Sequence, residues 1–120
     1  MASDNEHCGD RGRECTITVS NPVLRGMYPD PSWIWDTTRE EIVLVNSSFE
    51  LVPGLPIHTT RDLVTWTRTA NAVDETMSHR LLIDGVEDSG GLYAPTIRRI
   101  GGRYVIVCTV ARVNEVKALA

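Results

Sequence analysis

A chain of 120 residues with 42% hydrophobic residues is long enough to form the core of one small domain. Its formal net charge of −4 at pH 7 argues against nucleic acid or an anionic membrane surface as a partner, because both favour a basic face. The longest apolar runs, Ile42–Val45 and Tyr104–Cys108, are far too short to span a bilayer.

Residues 1–20 are predicted to form a polar amino-terminal tail. The segment Met1–Cys15 lacks the apolar core of a secretory signal, so we expect the chain as written to be cytoplasmic. Cys8 and Cys15 could bridge this tail, but the ligands around His7 are too few and too irregularly spaced for a metal site.

Asp30 lies between two prolines, directly before an apolar run that starts at Ser32. Flanking prolines remove backbone donors and are expected to hold the chain extended, which presents the carboxylate on a stiff segment. A catalytic carboxylate needs such stiffness. The alternative for Pro29–Pro31 is an ordinary turn that leads into a strand.

Strand patterns follow in chain order after Asp30. The predicted elements are a hairpin of Trp33–Trp35 with Glu41–Ser47, a loop over Phe49–Pro56, and short strands at Ile57–Thr60 and Leu63–Thr67.

The pattern then predicts a long connection over Arg68–Gly91, a length that is uncommon in a compact domain unless it serves a purpose. A second hairpin is predicted for Tyr93–Ile100 with Arg103–Val110, around a Gly-Gly turn. Within it, Cys108 is expected to be a buried, inert thiol. Residues 111–120 show no strand alternation and are predicted to be a helix or a frayed tail.

The two hairpins echo each other. Each begins with a proline-led strand, at Pro31 and at Pro95, and continues through a turn into an apolar strand. A recurring unit of this kind is typical of a β-propeller, in which four-stranded sheets repeat around an axis. A β-sandwich is the alternative, because turn residues separate its short strands in a similar way.

Five motifs stand in order along the chain: Asn21-Pro-Val-Leu-Arg-Gly-Met-Tyr-Pro-Asp-Pro-Ser32, Ser47-Ser-Phe-Glu50, Pro53-Gly-Leu-Pro-Ile-His58, Arg61-Asp-Leu-Val-Thr-Trp66 and Asp88-Ser-Gly-Gly-Leu-Tyr-Ala-Pro-Thr-Ile97. Together they resemble the start of glycoside hydrolase family 43, and its β-xylosidases in particular, over residues 21–110. The resemblance implies an all-β, five-bladed β-propeller, of which this chain holds only the first blade and part of the second. It also implies an inverting hydrolase of β-1,4-xylosides, in some members an α-L-arabinofuranosidase, with a xylo-oligosaccharide or arabinosyl substrate.

The resemblance implies roles for three residues. Asp30 matches the general base, which removes a proton from water as that water attacks the anomeric carbon. Phe49 and Tyr93 match substrate-binding positions, where aromatic rings pack against the C–H faces of a sugar. Core packing is the alternative for Phe49, and Tyr93 stands where the family usually has Trp.

Four other residues fit the motifs, but we expect structural uses for them. His58 is expected to be a satisfied structural group, and Trp66 a packing anchor between strands. Asp62 and Asp88 lie in predicted turns, where an Asp side chain commonly bonds the backbone.

The chain departs from the family in what it lacks. The resemblance puts a second Asp and the general-acid Glu on later blades, and no Glu here matches that acid. We therefore expect an amino-terminal fragment. Its exposed sheet faces predict self-association. No metal or other cofactor is predicted, although some relatives hold calcium, and some relatives are extracellular.

Two alternatives remain open at this point. The first is a non-catalytic carbohydrate-binding or interaction remnant that uses Phe49 and Tyr93. The second is a small β-sandwich with no connection to sugars.

Overall fold

The computed structural model describes residues 16–81 and 90–112. Within these ranges the elements are β1 (Ser32–Asp36), β2 (Glu41–Val45), β3 (Gly54–Thr60), β4 (Thr67–Val73), α1 (Glu75–Leu81), β5 (Gly91–Ile100) and β6 (Arg103–Ala111). The helix in the described residues is too short to cross a membrane.

The strands form two antiparallel sheets. The first sheet has the order β1-β2-β3-β4, and the second sheet consists of β5 and β6. Both predicted hairpins are confirmed, since Ser32 pairs with Val45 in one and Ile100 pairs with Arg103 in the other. The backbone N–H of Ile97 donates to the hydroxyl of Ser32 at 3.2 Å, so the two proline-led strands lie side by side.

The hydrophobic core lies between the sheets. Val43 and Val45 lie on one face of β2 and belong to the core cluster, while Leu44 between them is also buried, on the other face. Leu92 and Ile97 of β5 are completely buried in the same cluster. The core therefore holds the first sheet against β5.

The predicted strand over Leu63–Thr67 is wrong, because this segment is a turn and β4 begins only at Thr67. The Thr60 hydroxyl accepts the backbone N–H of Leu63 at 3.0 Å, and an Asp62 carboxylate oxygen accepts that of Thr65 at 2.7 Å. These local side-chain bonds take the donors that a strand ladder would need. The predicted use of Asp62 in a turn is thereby confirmed.

The predicted connection over Arg68–Gly91 is also wrong, since it contains β4 and α1. Asp74 caps the helix, because its carboxylate accepts the backbone N–H of Met77 at 2.8 Å. Glu75 in the first turn and Arg80 in the last complement the helix dipole. Asp88 and the tail from residue 113 onward lie outside the described residues.

The predicted loop over Phe49–Pro56 ends earlier than expected, because β3 already starts at Gly54. Pro56 fits inside this strand since its carbonyl accepts the N–H of Asn46 at 3.3 Å, a bond that needs no proline donor.

Candidate functional site

Asp30 lies just before β1, at the end of the first sheet where β2 finishes. Two adjacent residues beyond β2 hold its loop: the Asn46 amide donates to the carbonyl of Tyr28 at 2.7 Å, and the Ser47 N–H donates to the carbonyl of Pro29 at 3.0 Å. Both Asn46 and Ser47 are at most 1% exposed. The loop is therefore anchored to a buried part of the sheet.

The extended conformation predicted for Asp30 is wrong. Its φ is +50°, in the left-handed region, although the residue before a proline usually adopts an extended conformation. Asp tolerates this region better than most residues, and the bonds around Pro29 and Ser47 hold it there. The carboxylate is thus positioned by tertiary contacts and not by the prolines alone.

A chain of hydrogen bonds joins Asp30 to the second sheet. The hydroxyl of Ser47 lies 2.7 Å from Oδ2 of Asp30, and the backbone N–H of Ala94 donates to the same hydroxyl at 2.8 Å. Ser47 is completely buried. One side chain therefore contacts both the start of β1 and the start of β5.

Phe49 and Tyr93 form an aromatic pair beside this junction. Their ring centroids are 4.6 Å apart and the ring planes are inclined by 37°. Backbone bonds impose the contact, since the N–H of Phe49 donates to the carbonyl of Leu92 at 3.1 Å and the N–H of Leu92 returns a bond to Phe49 at 2.9 Å. Both rings are half-buried, as suits side chains at the edge of a core.

The structure thus brings the three sequence-predicted residues to one end of the molecule, where the two sheets meet. Ser47 begins one of the five motifs, but the sequence alone indicates no role for Ser47 or Asn46. Their signal was a run of polar residues, Asn46-Ser47-Ser48, directly after an apolar strand. Polar residues that are buried in such a place need partners, and here two of them bond the Asp30 loop.

His58 packs against the loop that contains Tyr28 and Asp30. It is 2% exposed and meets the Tyr28 ring edge-on, with centroids 4.7 Å apart. Burial lowers the pKa of His58, and the nearby Arg68 guanidinium lowers it further, so the neutral imidazole is favoured. Its packing fits the predicted structural use, but its Nδ1 has no hydrogen-bond partner in the described part of the chain.

A groove and Trp66 lie away from Asp30. A groove of about 380 Å³ at the opposite end of the first sheet is lined by Glu41, Thr59, Thr60, Arg61, Asp62, Thr65 and Thr67. Trp66 donates its indole N–H to the carbonyl of Leu63 at 3.1 Å, within its own turn. Cys108 is only partly buried, so the predicted full burial is wrong, although the burial that it has raises the pKa of its thiol.

Comparison with known proteins identifies related sequences. The family described as Glycosyl hydrolases family 43 matches residues 19–118. A xylan 1,3-β-xylosidase of Vibrio sp. is 33% identical over 89 residues, which cover 74% of this chain and 16% of that protein. A non-reducing end α-L-arabinofuranosidase of Bacteroides ovatus is 38% identical over 93 residues, covering 77% of this chain and 17% of that protein. The chain therefore spans about one sixth of the length of these relatives.

A solved structure shows the same fold. The crystal structure of a xylan β-1,4-xylosidase from Bacillus halodurans C-125 superposes with a TM-score of 0.69 at 30% identity, covering 79% of this chain and 17% of that one. The solved structures of glycosyl hydrolase family 43 are five-bladed β-propellers, so the predicted fold class is confirmed. The described residues cover only part of that fold.

Proposed function

This chain belongs to glycosyl hydrolase family 43, and from that membership we propose that it supplies the general-base side of an inverting glycoside hydrolase active site. The proposed substrates are xylan-derived saccharides that end in a β-1,4-xylosyl or an α-L-arabinofuranosyl unit. Relatives named as xylosidase and as arabinofuranosidase support this substrate class.

The observation that carries the proposal is the environment of Asp30. Its carboxylate is exposed, yet a buried hydroxyl holds it in place at 2.7 Å. A general base needs both properties, because it must reach a water molecule and must keep its direction while that water attacks.

In the proposed reaction Asp30 removes a proton from water as the water oxygen bonds to the anomeric carbon. A carboxylic acid on the other side of the sugar protonates the departing oxygen, with the two carboxyls roughly 6.5 to 9.5 Å apart in an inverting enzyme. The family resemblance assigns that acid, and the Asp that orients it, to later blades. This chain contributes the base and one wall of the site.

Phe49 and Tyr93 are proposed to form that wall. Their paired rings offer an apolar surface beside the junction from which Asp30 extends. A sugar packs its C–H faces on such a surface and directs its hydroxyls elsewhere. Within the described residues, no cluster of three His, Cys, Asp or Glu side chains could hold a metal ion.

The test is release of nitrophenol from nitrophenyl β-D-xyloside and nitrophenyl α-L-arabinofuranoside by the purified chain. We expect Asp30→Asn to lower any release by roughly 10²- to 10⁴-fold, the usual contribution of a general base. Asp62→Asn is the matched control, since that carboxylate bonds a turn at the other end of the sheet. Equal loss in both variants would reject Asp30 as the base.

A second candidate is a non-catalytic carbohydrate-binding protein. The observation that favours it is the pair of Phe49 and Tyr93, because aromatic rings with centroids 4.6 Å apart offer a sugar an apolar surface that requires no catalytic carboxylate. Binding of xylobiose that disappears in Phe49→Ala, without release of nitrophenol by the wild-type chain, would support this candidate and remove the catalytic proposal for these 120 residues.

A further inference from the structure

We infer that Ser47 is a positioning residue for Asp30, and that its hydroxyl couples the Asp30 carboxylate to the backbone of the second sheet at Ala94. The catalytic meaning of this coupling rests on the proposed function. The coupling itself is a physical property of the chain and can be tested without any substrate.

Hydrogen-bond chemistry fixes the direction of the coupling. A backbone amide can only donate, so the Ala94 N–H, 2.8 Å from the Ser47 oxygen, makes that oxygen an acceptor. The hydroxyl keeps one proton to give, and Oδ2 of Asp30 lies 2.7 Å away. The bonds therefore run from the Ala94 N–H through the Ser47 hydroxyl to the Asp30 carboxylate.

Ser47 is itself rigid. Its side chain is completely buried, and its N–H donates to the carbonyl of Pro29 at 3.0 Å. The neighbouring Asn46 amide also bonds Pro29, at 3.2 Å, and Tyr28. The serine thus holds the Asp30 backbone and the Asp30 side chain from one buried position.

The two carboxylate oxygens of Asp30 have different hydrogen-bond environments. Oδ2 receives the Ser47 hydroxyl, whereas no described residue donates to Oδ1. Oδ1 is the oxygen that is left to take a proton from water. Ala94 directly follows Tyr93 in the chain. The hydrogen bonds of Ser47 therefore also fix the position of Asp30 relative to the aromatic pair of Phe49 and Tyr93.

The experiment is a pH titration of the isotope-labelled chain by NMR. We expect the Ala94 amide shift to follow protonation of Asp30, which is read independently from the Asp30 carboxyl carbon. In Ser47→Ala the Asp30 carbon should still titrate, while the Ala94 amide should stop following it. An Ala94 amide that follows Asp30 equally well in Ser47→Ala would overturn the inference.

Ser48→Ala is the matched control. Ser48 is also a buried serine, 4% exposed, but its hydroxyl accepts the N–H of Leu55 at 3.0 Å and not that of Ala94. The Ala94 response should persist in this variant. If Ser47→Ala does not fold, Asp30→Asn decides, because the exposed side chain can be changed without loss of packing. A titrating Ala94 amide in Asp30→Asn refutes the coupling.

The outcome is separable from that of the proposed function. An intact Ala94 response in a chain that releases no nitrophenol would count against catalysis alone. If the chain does release nitrophenol, Ser47→Ala should lower kcat by up to roughly 100-fold through misplacement of the base, with KM little changed. A rise in KM at constant kcat would contradict the positioning role.

Discussion

Gly91 begins β5 at the point where the backbone of Phe49 crosses it. Its φ is +97°, and a Cβ at this position would lie 1.9 Å from the carbonyl oxygen of Phe49. Only glycine permits both the backbone conformation and the close approach. This contact lets Phe49 and Leu92 exchange backbone bonds and so sets the aromatic pair.

We predict that Gly91→Ala lowers the free energy of unfolding by about 3 kcal/mol or more, because backbone atoms must move apart. Gly101→Ala is the control: its φ is +56°, but nothing lies within 4 Å of the added methyl. That variant should cost only about 1 to 2 kcal/mol of conformational strain. Urea unfolding measures both, and equal losses would show that the Phe49 contact is not tight.

The sequence indicated which residues form the candidate site but not how they are held. Asp30, Phe49 and Tyr93 could be named from motifs, and the structure brings their segments together. The bonds of Ser47 reach 17 residues back and 47 residues forward, and no local spacing predicts such partners. The left-handed backbone of Asp30 follows from those bonds, which is why a local proline rule gave the wrong conformation.

At the scale of elements, Asp36 ties the far end of β1 to the second hairpin. The carboxylate is 2% exposed and accepts the Arg99 guanidinium at 2.8 Å and the Tyr104 hydroxyl. The Tyr104 hydroxyl lowers the pKa of Asp36 most, and the backbone N–H groups of Thr38 and Arg39 and the Arg99 charge lower it further, against an opposing effect of burial. The candidate base thus lies just before β1, and a carboxylate at the other end of β1 joins the two sheets.

The sign of this pKa shift predicts an acid-sensitive clamp. When folding lowers the pKa of a carboxyl group, the ionised group stabilises the folded state at pH values above its unfolded pKa, about 3.9. This stabilisation is lost as the pH falls through the lower pKa of the folded state. We therefore expect Tyr104→Phe to reduce the free energy of unfolding clearly at pH 7 and progressively less below about pH 4. Urea unfolding across that range is the measurement.

Arg39→Met is the control for the clamp. Its side chain makes an exposed ion pair with Glu41 at 3.3 Å, while its backbone N–H on Asp36 is retained. Exposed pairs contribute little, so this variant should change stability slightly. A Tyr104→Phe deficit that stays constant from neutral to acid pH would contradict the clamp.

The elements that the sequence missed lack a strong periodic signal. The β4 sequence Thr-Arg-Thr-Ala-Asn-Ala-Val has no apolar alternation, and most of the strand is exposed. Its strand conformation depends on pairing with β3, for example Ile57 with Ala70. The seven residues of α1 are too few to show helical periodicity, and its one readable sign was Asp74 at the amino-terminal cap. Both hairpins, by contrast, consist of apolar and β-branched runs on either side of a turn, which is the pattern that predicts them.

At the scale of the whole molecule, the two sheets are unequal. The first sheet has four strands, whereas the second sheet has two within the described residues, and β6 pairs there only with β5. The exposed strand carries Val105 and Val107, which are 38% and 67% exposed, and it has no charged residue after Arg103. A long apolar edge of this kind is a template for another strand.

We therefore propose that the chain self-associates through β6. Light scattering coupled to size exclusion should give an apparent mass that rises above the monomer value with concentration. Val107→Lys should shift this rise to higher concentration, because a lysine on an edge strand opposes pairing. Ile17→Lys introduces the same charge at another exposed apolar residue, 53% exposed and outside any strand, and should leave association unchanged. A monomeric mass at every concentration, or an equal effect of both lysines, would reject β6 as the associating edge.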